Sequence, residues 1–214
     1  TNMEEFLAGT CPTNILSHPW NIIGEVCYEG SATGNIHIIA CTNNFGWDAV
    51  RQATRIGSGA FKIMHLEANK AYWVKVWLDV NFNGINDYWE PSYERPASVF
   101  LSREQNIGFI KFGDVDNDRD SIADWWEYLY GLSPTDASDA NQDLDGDGYT
   151  NLEEYLAGTD PNAATSHPWH ITGILSYSGK ASGPILVISC LTSNTWATEN
   201  SAILASPGEF YIKH

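Results

Sequence analysis

An internal repeat constrains this chain more than any other feature. The segment Thr1–Thr10 (TNMEEFLAGT) recurs as Thr150–Thr159 (TNLEEYLAGT), and Ser17–Trp20 recurs as Ser166–Trp169, both at an offset of 149 residues. The offset holds without a gap to residue 214, and 28 of the 65 aligned pairs are identical. The chain therefore contains one 149-residue unit and the first 65 residues of another, which must share a fold. We expect the chain to be one section of a longer tandem array, or a subunit whose incomplete ends are completed by neighbouring subunits.

Acidic residues are concentrated in one stretch of the unit. The chain has 27 acidic and 11 basic residues, for a formal net charge of −16, and 14 of the acids lie between Asp114 and Asp160 beside a single base, Arg119. Such a density of like charge repels itself unless cations are bound within it. The acidity argues against nucleic acid and anionic membranes as partners, because both are polyanions. No apolar run approaches the length of a membrane span.

The apolar pattern predicts a mainly β unit followed by a short helical part. Between residues 17 and 112, short runs rich in β-branched and aromatic residues alternate with Gly, Asn and Pro, as is typical of an all-β sandwich. The seven predicted strands are Ile22–Tyr28, Asn35–Thr42, Ala49–Ile56, Phe61–Leu66, Tyr72–Leu78, Ser98–Leu101 and Ile107–Phe112. Lys75 and Lys111 alternate with apolar neighbours and are predicted to be half-exposed. Two runs with helical spacing, Ile122–Tyr130 and Leu152–Ala157, each follow an acidic loop and each precede a glycine.

One twelve-residue pattern determines the predicted chemistry: D-x-[DN]-x-[DN]-G-x5-E, the calcium loop of the EF-hand type. Residues 79–90 and 143–154 satisfy it at every position, whereas residues 116–127 depart from it once, with Ser121 where glycine is expected. Glycine makes the sharp turn at this position without steric cost, so Ser121 counts against a regular turn in that loop.

The spacing of the pattern matches the coordination of Ca²⁺, which takes about six to eight oxygen ligands. Side chains at positions 1, 3 and 5 point inward, position 7 offers its backbone carbonyl, position 9 binds directly or through water, and Glu at position 12 closes the site. The side chain at position 7 is then free to pack on the core. The predicted ligands are Asp79, Asn81, Asn83, Ile85, Asp87 and Glu90; Asp116, Asp118, Asp120, Ile122, Asp124 and Glu127; and Asp143, Asp145, Asp147, Tyr149, Asn151 and Glu154. Mg²⁺ fits less well because it retains its waters, and Zn²⁺ because every ligand is oxygen.

These patterns divide the chain into four predicted segments, with one Ca²⁺ in each of the three loops. Asn2 and Glu5 match positions 9 and 12 of a further loop, so residues 1–16 are predicted to end a preceding calcium module. Residues 17–112 form a β-sandwich that contains loop 79–90, residues 113–165 a two-helix calcium module, and residues 166–214 the first half of a second sandwich. The sequence leaves open whether four further acids bind extra ions or cap helices: Asp114, Asp136, Asp139 and Asp160.

Two parts of the chain resemble known families. Residues 114–161, with DWWEY at 124–128, DGDG at 145–148 and EYLAGTDP at 154–161, resemble bacterial thrombospondin type 3-like calcium repeats. Residues 20–112, with WVKVWLD at 73–79, the loop that follows it and Glu90-Pro91, resemble prealbumin-like and collagen-adhesin B-type sandwich domains. The resemblances imply an immunoglobulin- or prealbumin-like sandwich in secreted bacterial stalks, spacers and adhesins, with Ca²⁺ rigidifying the chain.

Four cysteines are present, at positions 11, 27, 41 and 190. Cys41 and Cys190 are repeat equivalents within predicted strands, where each fits a small buried hydrophobic residue. Cys11 and Cys27 are both absent from the second copy, so we favour a disulfide between them, with Cys27–Cys41 as the alternative. A disulfide fits an oxidising compartment.

The remaining motifs give no active site, and we expect a protein that is not an enzyme. The six histidines lack metal-ligand spacing, and no hydrolase, zinc-protease or nucleotide-binding motif occurs. Tryptophans are assigned to packing: Trp73 and Trp77 share a strand face, and one of Trp125 and Trp126 is expected to contact the sandwich. Carbohydrate stacking and dockerin-like recognition are the alternatives.

The sequence therefore predicts a calcium-stabilised, extracellular structural repeat protein of a bacterial stalk, filament or adhesin. Its expected partners are copies of itself or adjacent repeats. The alternative is a non-catalytic module, appended to a secreted enzyme, that binds a surface glycan or protein.

Overall fold

The computed structural model describes residues 1–8, 19–189 and 200–212. The protein is mainly β, and it divides into two compact units, Thr1–Ala137 and Ser138–His214. This boundary falls within the predicted segment 113–165, and the four-segment division remains a prediction. In the described ranges, no helix is long and apolar enough to cross a membrane.

The first unit has a helix at each end and eight strands between them, counted over its described residues. Its elements are α1 (Asn2–Ala8), β1 (Pro19–Tyr28), β2 (Asn35–Cys41), β3 (Arg51–Ile56), β4 (Gly59–Glu67), β5 (Ala71–Asp79), β6 (Ser92–Glu94), β7 (Val99–Phe100), β8 (Gln105–Phe112) and α2 (Asp124–Tyr130). Each of the seven predicted runs overlaps one observed strand. The eighth strand, β6, was missed because it is short and has no apolar run of its own; it exists through its pairing with β5.

The eight strands form two sheets around one core. Strands β4-β1-β8 form a three-stranded sheet, in which β1 is antiparallel to β4 and parallel to β8. Strands β3-β2-β5-β6 form the other sheet, with β7 also paired to β5. Alternate side chains of both sheets enter one cluster: Ile22 lies opposite Ile63 in the first sheet, and Ile38 lies opposite Val76 in the second, all fully buried. This alternation gives each sheet one apolar face, which is why the sheets pack together.

Lys75 was predicted to be half-exposed, and this prediction is wrong: its side chain is buried and the residue is only 1% exposed. Its Nζ donates to the backbone oxygen of Asn44 at 3.1 Å and to the Glu94 carboxylate at 3.0 Å, and it lies 5.0 Å from the centroid of the Trp47 ring. The segment after β2 folds over this face of the sheet, and the sequence pattern of β5 alone does not reveal that cover. Lys111 is exposed and pairs with an acid on the surface.

The second unit repeats the helix and the first four strands. Its elements are a 3-10 helix (Asp139–Asn141), α3 (Asn151–Ala157), β9 (Ile171–Leu175), β10 (Ile185–Ser189), β11 (Asn200–Leu204) and β12 (Gly208–Ile212). The bounds of α3 are those of α1 shifted by 149 residues. Strand β9 pairs with β12, and β10 with β11, in the registers that β1–β4 and β2–β3 show in the first copy.

The core positions of the second copy are more exposed than those of the first. Ile171 is 53% exposed, whereas its equivalent Ile22 is 0% exposed. Ile22 is covered by residues of β5 and β8 in the shared core, and these strands have no counterpart within residues 150–214.

Both predicted helices end as the sequence indicated. Gly131 and Gly158 adopt left-handed conformations, with φ of 80° and 70°, directly after α2 and α3. At the start of α3, the hydroxyl of Thr150 accepts from the Glu153 amide while the Glu153 side chain accepts from the Thr150 amide, a capping box. Helix α2 begins at Asp124 rather than Ile122, because the residue before it, Ala123, is still extended, with φ of −83° and ψ of 138°.

Candidate metal centres

The three acidic loops occupy turns whose ends are fixed by regular structure. Loop 79–90 connects the antiparallel strands β5 and β6. Loops 116–127 and 143–154 run into α2 and α3, so that their closing residues Glu127 and Glu154 lie in the first turn or two of a helix. The closing glutamates are fully or almost fully buried: Glu90 is 1% exposed, and Glu127 and Glu154 are 0% exposed.

All three loops have the same backbone turn. Positions 4 and 6 of each loop are left-handed, with positive φ at Phe82 and Gly84, at Arg119 and Ser121, and at Gly146 and Gly148. Ser121 has φ of 81°, against 75° for Gly84 and 99° for Gly148. Loop 116–127 is therefore regular despite its serine, which carries a steric cost that glycine would avoid.

The loops also share three hydrogen bonds from backbone amides to side-chain oxygens. The carboxylate at position 1 accepts from the amide at position 6, at 3.0, 3.1 and 2.8 Å in chain order. The position 3 side chain accepts from the amide at position 5, at 3.0, 3.3 and 3.1 Å. The position 5 side chain accepts from the amide at position 7, at 2.6, 2.7 and 2.9 Å. These bonds orient the side chains at positions 1, 3 and 5 in the same way in every loop.

Two loops bring three carboxylates close enough to hold a metal ion. One oxygen each of Asp116, Asp118 and Asp120 lies within 4.8 Å of the others, and the same holds for Asp143, Asp145 and Asp147. In loop 79–90 the amides of Asn81 and Asn83 take the places of two of these carboxylates.

Loop 143–154 contains four buried side-chain oxygens without a hydrogen-bond partner. They are Oδ2 of Asp145, Oδ2 of Asp147, Oδ1 of Asn151 and Oε2 of Glu154, at positions 3, 5, 9 and 12. A buried oxygen without a donor costs free energy, and a buried carboxylate costs more. The donor set is all oxygen and largely charged, so these residues fit a hard cation such as Ca²⁺.

Burial of the closing carboxyl raises the pKa of Glu154 from 4.5 to about 7, and the nearby Asp145 and Asp147 reinforce the shift. Burial likewise raises the pKa of Glu90 and of Asp124. In each case the raised pKa means that the ionised form is disfavoured while no positive charge is present. Bound cations would reverse this preference, because the charged form then gains an opposite charge.

Groups outside loop 143–154 fix two of its predicted ligands. The side-chain amide of Asn151 donates to the backbone oxygen of Asp139 at 2.7 Å, while its Oδ1 has no partner. The hydroxyl of Thr159 donates to Oε1 of Glu154 at 3.2 Å. The sequence pattern does not reveal either support, because neither residue belongs to the twelve-residue motif.

In loop 116–127 the position 9 carboxylate is engaged with the loop itself. Asp124 is 0% exposed and accepts from the backbone amide of Asn117 at 2.8 Å, and also from the Asn117 side-chain amide. The neighbouring Asp114, whose role the sequence left open, is held by hydrogen bonds within the protein. Its carboxylate accepts from the Tyr28 hydroxyl and from the amide and hydroxyl of Ser31.

Loop 79–90 is closed by its own hydrogen bonds. The side-chain amides of Asn81 and Asn83 both donate to Oδ2 of Asp87 at 2.9 Å. The two oxygens of Glu90 accept from the backbone amides of Val80 and Asp87, at 2.8 and 3.2 Å.

His37 approaches the first predicted ligand of this loop. Its Nε2 lies 3.3 Å from Oδ2 of Asp79, and its ring stacks on Trp77 with centroids 4.6 Å apart. Sequence reasoning assigned no site role to His37; only the antiparallel pairing of β2 with β5, which sets Asn35 opposite Asp79, brings it there.

The side chains at position 7 differ among the loops. Ile122 is fully buried, as predicted. Ile85 is 62% exposed, so the expectation that it packs on the core is wrong; it lies at the tip of a hairpin connection rather than beneath a helix. Tyr149 is half-buried, and its ring is parallel to that of His167 with centroids 5.8 Å apart.

Two of the four cysteines, Cys27 and Cys41, lie within the described residues. Cys41 is buried, as predicted, and Cys27 and Cys41 are not joined to each other, which rules out the alternative pairing. Cys11 and Cys190 lie outside the described residues, and the Cys11–Cys27 disulfide remains a prediction. Trp125 packs against the main core, which confirms that one residue of the tryptophan pair contacts the sheets.

No protein-family model, curated protein or solved structure matches this chain.

Proposed function

We propose that this chain is a non-catalytic, calcium-stabilised structural repeat protein of the bacterial cell surface or extracellular space. Each of the loops 79–90, 116–127 and 143–154 binds one Ca²⁺. In this proposal the sheets form an immunoglobulin- or prealbumin-like sandwich, and the helical segments form an EF-hand-like module of the thrombospondin type 3-like kind.

The observation that carries the proposal is the set of four unpartnered buried oxygens in loop 143–154. A fold that buries Glu154 and Asn151 fully while one side-chain oxygen of each has no donor is unfavourable on its own. A divalent cation with oxygen ligands supplies the missing interactions. The other two loops have the same left-handed positions and the same three hydrogen bonds, which supports the same ligand in each.

The structural role follows from where the loops lie in the repeat. Two of the three lie between the first set of strands and its second copy, in the stretch that holds most of the acids. Without cations this stretch repels itself; with Ca²⁺ its turns are fixed by metal–oxygen bonds, since metal binding free energy adds to folding free energy. A tandem array joined in this way is a stiff rod, which suits a stalk, a filament or an adhesin array whose partners are adjacent copies.

The first test is calcium binding by the full chain. Equilibrium dialysis or native mass spectrometry should find three Ca²⁺ per chain, in preference to Mg²⁺. Electron microscopy of longer arrays should show extended particles in Ca²⁺. Isolated globular particles in saturating Ca²⁺ would contradict the fibre form of the proposal while leaving metal binding intact.

A recognition role is the second candidate, and exposed apolar side chains on one loop favour it. Phe82, Ile85 and Tyr88 are 65%, 62% and 74% exposed. A glycan array probed with the wild-type chain and with a Phe82→Ser/Tyr88→Ser variant discriminates between the two: specific binding that only the wild type shows would favour a recognition module.

A further inference from the structure

Two of the proposed calcium loops are joined by an aromatic stack. Trp89, at position 11 of loop 79–90, stacks on Tyr128, the first residue after loop 116–127, with ring centroids 4.3 Å apart and an interplanar angle of 10°. Trp89 is only 4% exposed, so the Trp89 half of the stack is buried. Each aromatic residue is the chain neighbour of a closing glutamate: Trp89 precedes Glu90, and Tyr128 follows Glu127.

The closing glutamates are the residues whose position matters most for an ion. A glutamate at position 12 offers both oxygens, so its backbone must lie at a set distance from the centre of its loop. Glu90 is held by hydrogen bonds from Val80 and Asp87, and its amide donates to the Asp87 oxygen at 3.0 Å. Glu127 moves with α2, since its amide donates to the Ala123 oxygen at 3.1 Å.

Further contacts hold α2 and the segment before loop 116–127 on the sheets. Trp125 packs against the main hydrophobic core. Just before the loop, Asp114 accepts from the Ser31 amide at 2.7 Å. Trp125 and Asp114 thus hold α2 and the start of its loop against the sheets, and Tyr128 on the same helix contacts Trp89.

We infer that calcium binding at loops 79–90 and 116–127 is positively coupled through the Trp89–Tyr128 stack. An ion that fixes Glu90 fixes Trp89; the ordered indole then holds Tyr128 and places Glu127 for the second ion, and the reverse holds equally because coupling between sites is reciprocal. A parallel stack of this kind changes an affinity by about two- to tenfold. This inference rests on the proposed function, in that the two loops must bind Ca²⁺.

The test is a set of calcium titrations on the full chain in a Glu154→Gln background, which silences loop 143–154. Loop 79–90 is then measured alone by adding Glu127→Gln, and loop 116–127 alone by adding Glu90→Gln. We expect each loop to bind Ca²⁺ about two- to tenfold more weakly alone than when its neighbour is filled. Calcium alone is the titrant, and isothermal calorimetry gives the affinities.

Substitutions at Tyr128 show whether the stack transmits this effect. Tyr128→Ala and Tyr128→Leu should abolish the difference between paired and single loops, whereas Tyr128→Phe should retain it. Leu129→Ala is the matched control, because Leu129 is the adjacent, 62% exposed residue on the same helix, and it should retain the coupling. Circular dichroism establishes that each variant is folded.

The possible outcomes separate the two claims. Equal affinities with and without the neighbouring ion would overturn the coupling but leave calcium binding standing. Coupling that survives Tyr128→Leu would overturn the role of the stack. Loops that bind no Ca²⁺ in any background would overturn the proposed function together with this inference.

Discussion

The side-chain amide of Asn151 donates to the backbone oxygen of Asp139 at 2.7 Å, which leaves Oδ1 of Asn151 buried and without a donor. Asp139 lies outside the acidic loop, and its backbone oxygen fixes the orientation of the Asn151 amide, so that the oxygen end of the amide is left for a cation. Asn151 is 0% exposed, so neither end can turn to solvent. Position 9 of this loop is thus preset to offer oxygen to a cation.

Replacement of this amide should destabilise the second unit even without metal. In Asn151→Asp, the Asp139 oxygen loses its donor and a further charge is buried, so we expect a loss of about 1–3 kcal/mol in chelator. Urea unfolding measures it. Asn141→Asp is the control, since Asn141 is exposed at the end of the 3-10 helix. Equal effects of the two substitutions would contradict the assigned orientation.

Glu154→Gln should remove one Ca²⁺ from the chain. The substitution takes one charge from a fully buried ligand that has an unpartnered oxygen, and native mass spectrometry should count one ion fewer. Glu153→Gln is the matched control, because Glu153 lies next to Glu154 but belongs to the capping box of α3; glutamine also fits that position of the box, so the helix start and the ion count should both be unchanged. If Glu154→Gln retained the full count, Glu154 would not be a ligand.

Ser121→Gly should stabilise the protein. Ser121 has φ of 81°, a conformation that costs a residue with a Cβ about 1 kcal/mol. The reverse change, Gly148→Ser, should destabilise by a similar amount, since a Cβ at Gly148 would meet nothing within 4 Å and only the backbone cost remains. Urea unfolding in saturating Ca²⁺ measures both. A destabilising Ser121→Gly would mean that the hydroxyl itself supports the loop.

Most of the first unit could be predicted from its sequence because its strands have clear alternation and α2 ends at Gly131. Strand β6 could not, since Ser92–Glu94 is defined by pairing with β5 rather than by its own residues. Lys75 was misjudged for a related reason: its cover comes from Trp47, and which loop folds over a sheet is a tertiary property.

The loop ligands could be predicted because the motif is local and each position has a fixed direction in the turn. The residues that surround and support the loops could not be predicted from the sequence. His37 reaches Asp79 only through the pairing of two strands, and Trp89 meets Tyr128 across a gap of 39 residues in the chain. Contacts of this kind depend on how elements pack, which single positions in a sequence do not encode.

The predicted Cys11–Cys27 disulfide can be tested by peptide mapping without reduction. We expect one linked peptide containing Cys11 and Cys27, with Cys41 recovered as a free thiol because it is buried. A Cys27→Ser variant should abolish the linked peptide. A linkage of Cys11 to Cys41 instead would refute the pairing.

The central claim is that Ca²⁺ is part of the fold, and thermal unfolding of the full chain in Ca²⁺ and in chelator tests it most directly. Each site that is occupied at about a hundred times its dissociation constant adds about 2.7 kcal/mol, so the melting temperature should rise by about 5 °C or more. The rise should appear in both compact units, because each contains at least one loop, and Mg²⁺ should reproduce little of it. Identical melting curves in Ca²⁺ and in chelator would contradict the account.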